Sequence, residues 1–175
     1  IEGISIGDSL LNYLSEKEIK KTINNYSDKG FIYNSKDYYS LTFNSEMLNL
    51  ENYYHVQFHL KNKDKKYIIH SISGIDKMDI NNCYAQTNTI EKEIEILFKN
   101  PKKTKKRTKK HSYDKTGESS TVSVYYYLDD GSNVGIVCTD WGDSVLKKKK
   151  NWFDHLRLKI SSSEFNNWFR KKAYQ

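Results

Sequence analysis

Six short runs rich in Tyr, Val, Ile and Phe fall into two groups of three, with one amphipathic stretch between the groups. The first group is Tyr38–Phe43, Tyr53–Leu60 and Tyr67–Gly74, and the second is Thr121–Leu128, Asn133–Asp140 and Phe153–Ile160. Their lengths and their aromatic and β-branched content predict strands. In Ile80–Phe98, residues Cys83, Ile90, Ile94, Leu97 and Phe98 recur at helical spacing, and Asn100-Pro101 ends the helix. The stretch Gly7–Asn25 reads as a helix in two pieces, the second restarted by a capping box of Ser15 and Glu18, and Gly30 breaks the pattern. Near the C-terminus Ser161 and Glu164 predict another capping box, followed by an inner helical face of Phe165, Trp168, Phe169 and Ala173. The order α-βββ-α-βββ-α implies an α+β fold, with antiparallel sheet or sheets packed on the central helix. The chain of 175 residues suits a single domain over 1–175. If it divides, lobes 1–100 and 117–175 are joined by a basic loop, 101–116.

The clearest turn is Asp129-Asp130-Gly131-Ser132, between two strand runs. Asp-Gly at the two central positions suits a type I′ turn, in which both need positive φ. That register sets Tyr126 opposite Gly135 and Ser123 opposite Cys138. Apolar residues on both faces of this hairpin predict cover on both sides. In the strand Phe153–Ile160, alternation turns Leu156, Leu158 and Ile160 inward and His155, Arg157 and Lys159 outward.

Charge is concentrated. Of 29 basic residues, seven lie in the segment KKTKKRTKK: Lys102, Lys103, Lys105, Lys106, Arg107, Lys109 and Lys110. Taking seven from 29 leaves 22 basic residues against 22 acidic, so the whole net charge of +7 resides in this stretch. A second run spans Lys147 to Lys150. Such blocks are solvated loops or contacts for a polyanion or an anionic membrane surface. The bland explanation is base composition. Only three of the basic residues are Arg, and Asn and Ile number 16 each, a bias that A/T-rich codons produce by themselves. No apolar run approaches the ~18 residues of a membrane span, so there is no transmembrane segment in the sequence.

Several motifs invite a chemical reading. Gly7-Asp8-Ser9-Leu10 matches the four letters that name the GDSL hydrolases, in which the Ser is the nucleophile. Here no Gly-x-Asn-Asp and no Asp-x-x-His accompanies it, so capping of the first helix by Asp8 or Ser9 is the better reading. His55, His59 and His70 lie on adjacent strand runs. Register sets His70 inward with Val56, Phe58, Leu60, Ile68 and Ile72, and leaves His55 and His59 on the surface, so no metal site is expected. Asp140 and Asp143 flank Trp141-Gly142 and read as a turn, or as a carboxylate pair for acid–base work. Cys83 and Cys138 form either one disulfide or two buried thiols. The clusters Tyr38-Tyr39, Tyr53-Tyr54 and Tyr125-Tyr126-Tyr127 each turn one ring outward by alternation. Such rings either stack on bases or sugars or lie half-buried at a sheet edge.

The strings Gly3-Ile4-Ser5-Ile6-Gly7-Asp8-Ser9-Leu10-Leu11, Asn82-Cys83-Tyr84, Cys138-Thr139-Asp140-Trp141 and Trp152-Phe153-Asp154-His155-Leu156 carry a resemblance over most of the chain. The pattern resembles an uncharacterised family of small exported proteins from A/T-rich marine bacteria, with no assigned activity. That resemblance implies a periplasmic or secreted protein whose signal peptide has been removed. The residues themselves leave a cytoplasmic location open.

The leading functional expectation is a non-enzymatic binding module that contacts a polyanion or an anionic surface through the seven basic residues, with no cofactor, no metal and no catalytic residue. One alternative is a small hydrolase using Ser9 or the Asp140/Asp143 pair. The other is a structural envelope protein without a ligand. The sequence names no protein partner.

Overall fold

The computed structural model describes residues 1–26, 30, 32–142, 147 and 152–175. Among these lie three α-helices: α1 (Glu16–Asn25), α2 (Ile80–Leu97) and α3 (Ser163–Lys171). Eight strands, mostly antiparallel, complete an α+β fold: β1 (Tyr38–Asn44), β2 (His55–Lys61), β3 (Ile69–Lys77), β4 (Lys102–Lys103), β5 (Arg107–Lys110), β6 (Ser120–Tyr127), β7 (Asn133–Asp140) and β8 (His155–Ser161). The chain forms two compact units, each discontinuous in sequence. The first is Ile1–Gly74, Asp130–Ser132 and Lys159–Gln175; the second is Ile75–Asp129 and Asn133–Leu158. The division falls after Gly74, around Asp130–Ser132 and within β8, and the basic segment 101–116 lies inside the second unit.

In the first unit the strands run β1-β2-β3-β8. Leu41 pairs with Phe58, Tyr39 with Leu60 and Phe43 with Val56, and all six join a core with Leu10, Leu14 and Ile19. On the opposite face Tyr38 packs with Phe165, Trp168 and Ala173. Both faces are therefore covered, and this overturns two expectations. Tyr38 and Tyr39 are both buried, at 2% and 6% exposure. His59 is buried as well, 2% exposed, with its ring 4.8 Å from Phe165. His70 lies on this face beside Tyr38, at 5.2 Å, instead of joining Val56, Phe58 and Leu60. Strict alternation fails because Ile69, not Ile68, enters the core beside Ile72. The capping box of Ser15 and Glu18 is present. The cap of α3 is Ser162, whose Oγ accepts from the Phe165 amide, one residue beyond the expected Ser161. Ser161 instead closes β8 and pairs with the Ser71 hydroxyl at 2.9 Å in the interior.

In the second unit the order is β8-β7-β6, and both β4 and β5 pair with β6. α2 covers one face of this sheet through Cys83, Thr87, Ile90 and Ile94. Cys83 is bonded to Cys138 of β7, with Cα atoms 5.9 Å apart. Leu97, expected on the inner face, is 75% exposed, because Phe98 is already extended and the helix ends one residue after Ile96. The β6–β7 register differs by one residue from the type I′ expectation. Tyr125, not Tyr126, lies opposite Gly135, and Val122, not Ser123, lies opposite Cys138. Gly131 is at φ +82°, but Asp130 is not in the positive-φ region that type I′ requires of it. The Asp130 carboxylate instead accepts the Ser132 amide at 2.8 Å and the Ser132 hydroxyl, which closes a longer loop.

Candidate polyanion-binding face

The site begins with the order of the basic segment. It is not a solvated loop: Lys102 and Lys103 form β4, and Arg107 to Lys110 form β5. Between them Thr104 exchanges two hydrogen bonds with Tyr125. Its amide donates to the Tyr125 carbonyl at 2.8 Å, and its Oγ1 accepts from the Tyr125 amide at 3.0 Å. Charged side chains suit such short outer strands, since they discourage pairing with another chain.

Register then sorts the charges, because directly opposed residues of an antiparallel pair point to the same face. Lys103 opposes the buried Tyr126, and Thr108 opposes Val122, which in turn opposes Cys138. These positions belong to the α2 face. Lys102 opposes Tyr127, Arg107 opposes Ser123 and Lys109 opposes Thr121, so these three cations share the other face with Tyr125 and Gly135. Lys110 opposes Ser120, on the α2 side.

On the α2 side the charges of Lys103 and Lys106 are answered by carboxylates. Lys103 and Lys106 approach the two carboxylate oxygens of Glu91 at 2.6 and 2.9 Å, and Lys103 reaches Glu95 at 3.1 Å. Glu91 is 8% exposed. Burial raises its carboxyl, but the hydrogen bonds from Lys103 and Lys106 outweigh that and hold it below the usual range. Its bond to Glu91 raises the Lys103 ammonium in turn. The other five cations, Lys102, Lys105, Arg107, Lys109 and Lys110, make no ion pair with the described residues. The seven expected binding residues thus fall into two populations.

The opposite face is open in the sense that no helix among the described residues of this unit lies over it, although Asn133, Gly135 and Thr139 on it are buried among their neighbours. No Asp or Glu occupies a position on this face of β4 to β7. Tyr125 and Tyr127 are half-buried on it, two residues apart. The ring of Tyr125 sits where a side chain at Gly135 would be, since a Cβ there would lie 2.6 Å from its Cε1. Burial raises the Tyr125 phenol, Tyr127 adds to the rise, and the positive charge of Arg157 in β8 opposes it. Arg157 is therefore within electrostatic reach of this phenol. The sequence marks Arg157 only as an outward residue, through its alternation with Leu156 and Leu158.

At one end of the unit is an aromatic cluster. Trp141 lies 4.2 Å from both His111 and Trp152, centroid to centroid. Burial lowers the His111 imidazole. His155 is pushed down to about 4, first by burial and further by Arg157 and His111, against a hydrogen bond at the Phe153 carbonyl and the charge of Asp154. It is neutral near pH 7.

The other sequence candidates fall elsewhere. Ser9 caps a short 3-10 turn, Leu10–Asn12: its Oγ accepts from the Leu11 amide at 3.2 Å and donates to the Lys66 carbonyl at 2.6 Å. Asp8 accepts from the Tyr13 hydroxyl and the Ser5 amide. Asp140 Oδ1 accepts from the Gly142 amide at 2.7 Å, an Asx-type turn, while Asp143 lies outside the described residues, as do Lys148 to Lys150. Lys147 pairs with Asp154 at 2.9 Å. Among the described residues no group of three His, Cys, Asp or Glu side chains is placed to hold a metal, and no helix is long and apolar enough to cross a membrane. No family model, no curated protein and no solved structure matches the chain.

Proposed function

We propose that the chain is a non-enzymatic binding module that takes a polyanion on the open face of the second unit, through Lys102, Arg107, Lys109 and Arg157. The observation that carries this reading is the sorting of charge by register: three of these cations share a face without a carboxylate on β4 to β7, while Lys103 and Lys106 are held by Glu91. Two of the four are Arg, the side chain whose planar fork matches phosphate or sulfate oxygens. The Cys83–Cys138 bond supports an oxidising compartment, periplasmic or extracellular. The hydrolase reading draws no support from Ser9, whose hydroxyl proton is given to a backbone carbonyl.

The test is a salt-dependent titration of the full chain against heparin, beside the triple variant K102Q/R107Q/K109Q. Counterion release makes affinity fall steeply with salt, in proportion to the anionic groups neutralised. Binding that weakens with salt, and a slope that flattens in the triple variant, are expected. No binding by the parent chain, or equal slopes for both proteins, would overturn the reading. Anionic vesicles bound in place of heparin would replace a polymer partner with a membrane surface.

A further inference from the structure

We infer that the polyanion is a single-stranded nucleic acid whose bases stack on Tyr125 and Tyr127. The inference rests on the polyanion reading and adds what the charges by themselves do not specify. Charge alone would suit any sulfated or phosphorylated polymer. The open face, however, places two aromatic rings among its cations. Tyr125 and Tyr127 lie on one face of β6, which β7 borders on one side and β4 and β5 on the other. Two residues of strand separate them by about 6.6 Å.

The flanking chemistry fits the same ligand. Lys102 and Arg107 lie across from Tyr127 and Ser123 on the outer strands, and Arg157 bears on the Tyr125 phenol from β8. Phosphates can therefore be met on both sides of the ring pair. Gly135 is the residue that admits the arrangement. With no side chain there, the Tyr125 ring rests against the sheet backbone and is held in place before any ligand arrives, so little ordering entropy remains to be lost. Between the rings and cations, the part-exposed Ser123 offers a small hydrogen-bonding group for base edges. A duplex keeps its base faces stacked inside itself and has none to offer these rings. A single strand can splay its bases onto them, and stacking of this kind tolerates any sequence.

The test compares three ligands with the intact disulfide-bonded chain: a labelled twelve-nucleotide single strand, the matching duplex, and heparin. The variants are Tyr127→Ala, Tyr125→Phe and Tyr125→Ala, each with its thermal melt. Stacking on an aromatic side chain is worth about 1–3 kcal/mol per base, so Tyr127→Ala should weaken single-strand binding about tenfold and leave heparin affinity unchanged. Tyr125→Phe keeps the ring and should bind the single strand like the parent, whereas Tyr125→Ala should lose about as much as Tyr127→Ala. The parent chain should favour the single strand over the duplex at equal salt. If both alanine variants melt like the parent and bind the single strand equally well, stacking is wrong and the polyanion reading survives through heparin. Duplex bound as tightly as single strand by the parent also overturns stacking. Failure of the parent to bind any of the three polymers overturns both.

Discussion

The two units apply the same tyrosine-rich strands to opposite ends. In the first, Tyr38 and Tyr39 point to opposite faces of the sheet and both are buried, because the N-terminal segment packs on one face and α3 on the other. In the second, α2 covers the Tyr126 face, and Tyr125 and Tyr127 stay half-buried. The charges follow. His59 and Lys159 in the first unit lie against aromatic rings, Lys159 at 4.9 Å from the Phe165 centroid. In the second, Arg107 and Lys109 are exposed. A doubly covered sheet is spent on stability, whereas a singly covered one leaves its free face for a partner, and local composition does not tell the two apart.

That contrast can be broken most forcefully at Phe165. It is fully buried in the helix-covered face of the first unit, and Phe165→Ala should cost roughly 3–5 kcal/mol by denaturant melt. Tyr127→Ala, on the open face of the second unit, should cost under about 1 kcal/mol, since an accessible ring has less packing to lose. Comparable losses would mean that the second face is covered after all.

The second unit, with one covered face, leans on its disulfide. The bond joins residues 55 apart in sequence, and chain-entropy scaling gives it about 4 kcal/mol. Reduction should lower the unfolding midpoint, and hydrogen exchange should quicken in α2 and β7 before it does in β1 and β2. Uniform loss of protection would contradict separate stabilisation of the two units.

Acid should also act on the second unit. The folded His155 titrates at about 4, below the ~6.5 of an unfolded imidazole, so the folded state binds fewer protons between those values. Its contribution is complete above pH 6.5 and is lost as pH falls toward 4, by roughly 2–3 kcal/mol. Stability against pH should be flatter over that range in His155→Asn, and an unchanged profile would place the proton uptake elsewhere.

The smallest effect sharpens the sorting of lysines. Glu91→Gln removes the acid that holds Lys103 and Lys106. Both lysines are well exposed, so the loss of stability should be about 1 kcal/mol. Heparin affinity should rise, with elution at higher salt, because two cations are released. Unchanged elution would mean that Glu91 does not restrain them.

Much of the fold was legible because periodicity is strong where one face is buried. The central helix, both strand triplets and the Ser15–Glu18 cap all rest on such patterns. The errors cluster where a side chain decides a register. The Asp130 carboxylate captures Ser132 and lengthens the hairpin loop, which moves the β6–β7 register by one residue. A one-residue slip changes which tyrosines share the open face, so this local choice governs the candidate site. The basic segment was visible as charge but not as strand, since its pairing depends on Thr104 bonding a residue 21 positions away. Nor does composition reveal that Lys103 and Lys106 are answered by Glu91, which comes together with them only once α2 has packed on the sheet. The same limit applies to His59: its outward parity implies solvent, but α3 covers that face.

The most direct measurement of the division of charge follows side-chain NMR signals while a heparin fragment or a single-stranded oligonucleotide is added. The guanidinium resonances of Arg107 and Arg157 and the ring protons of Tyr125 and Tyr127 should shift with the oligonucleotide, and the two guanidinium signals with heparin. Lys103 and Lys106 should stay at their free positions. Shifts confined to Lys103, Lys106 and α2, with the open face silent, would contradict the assignment of the binding surface.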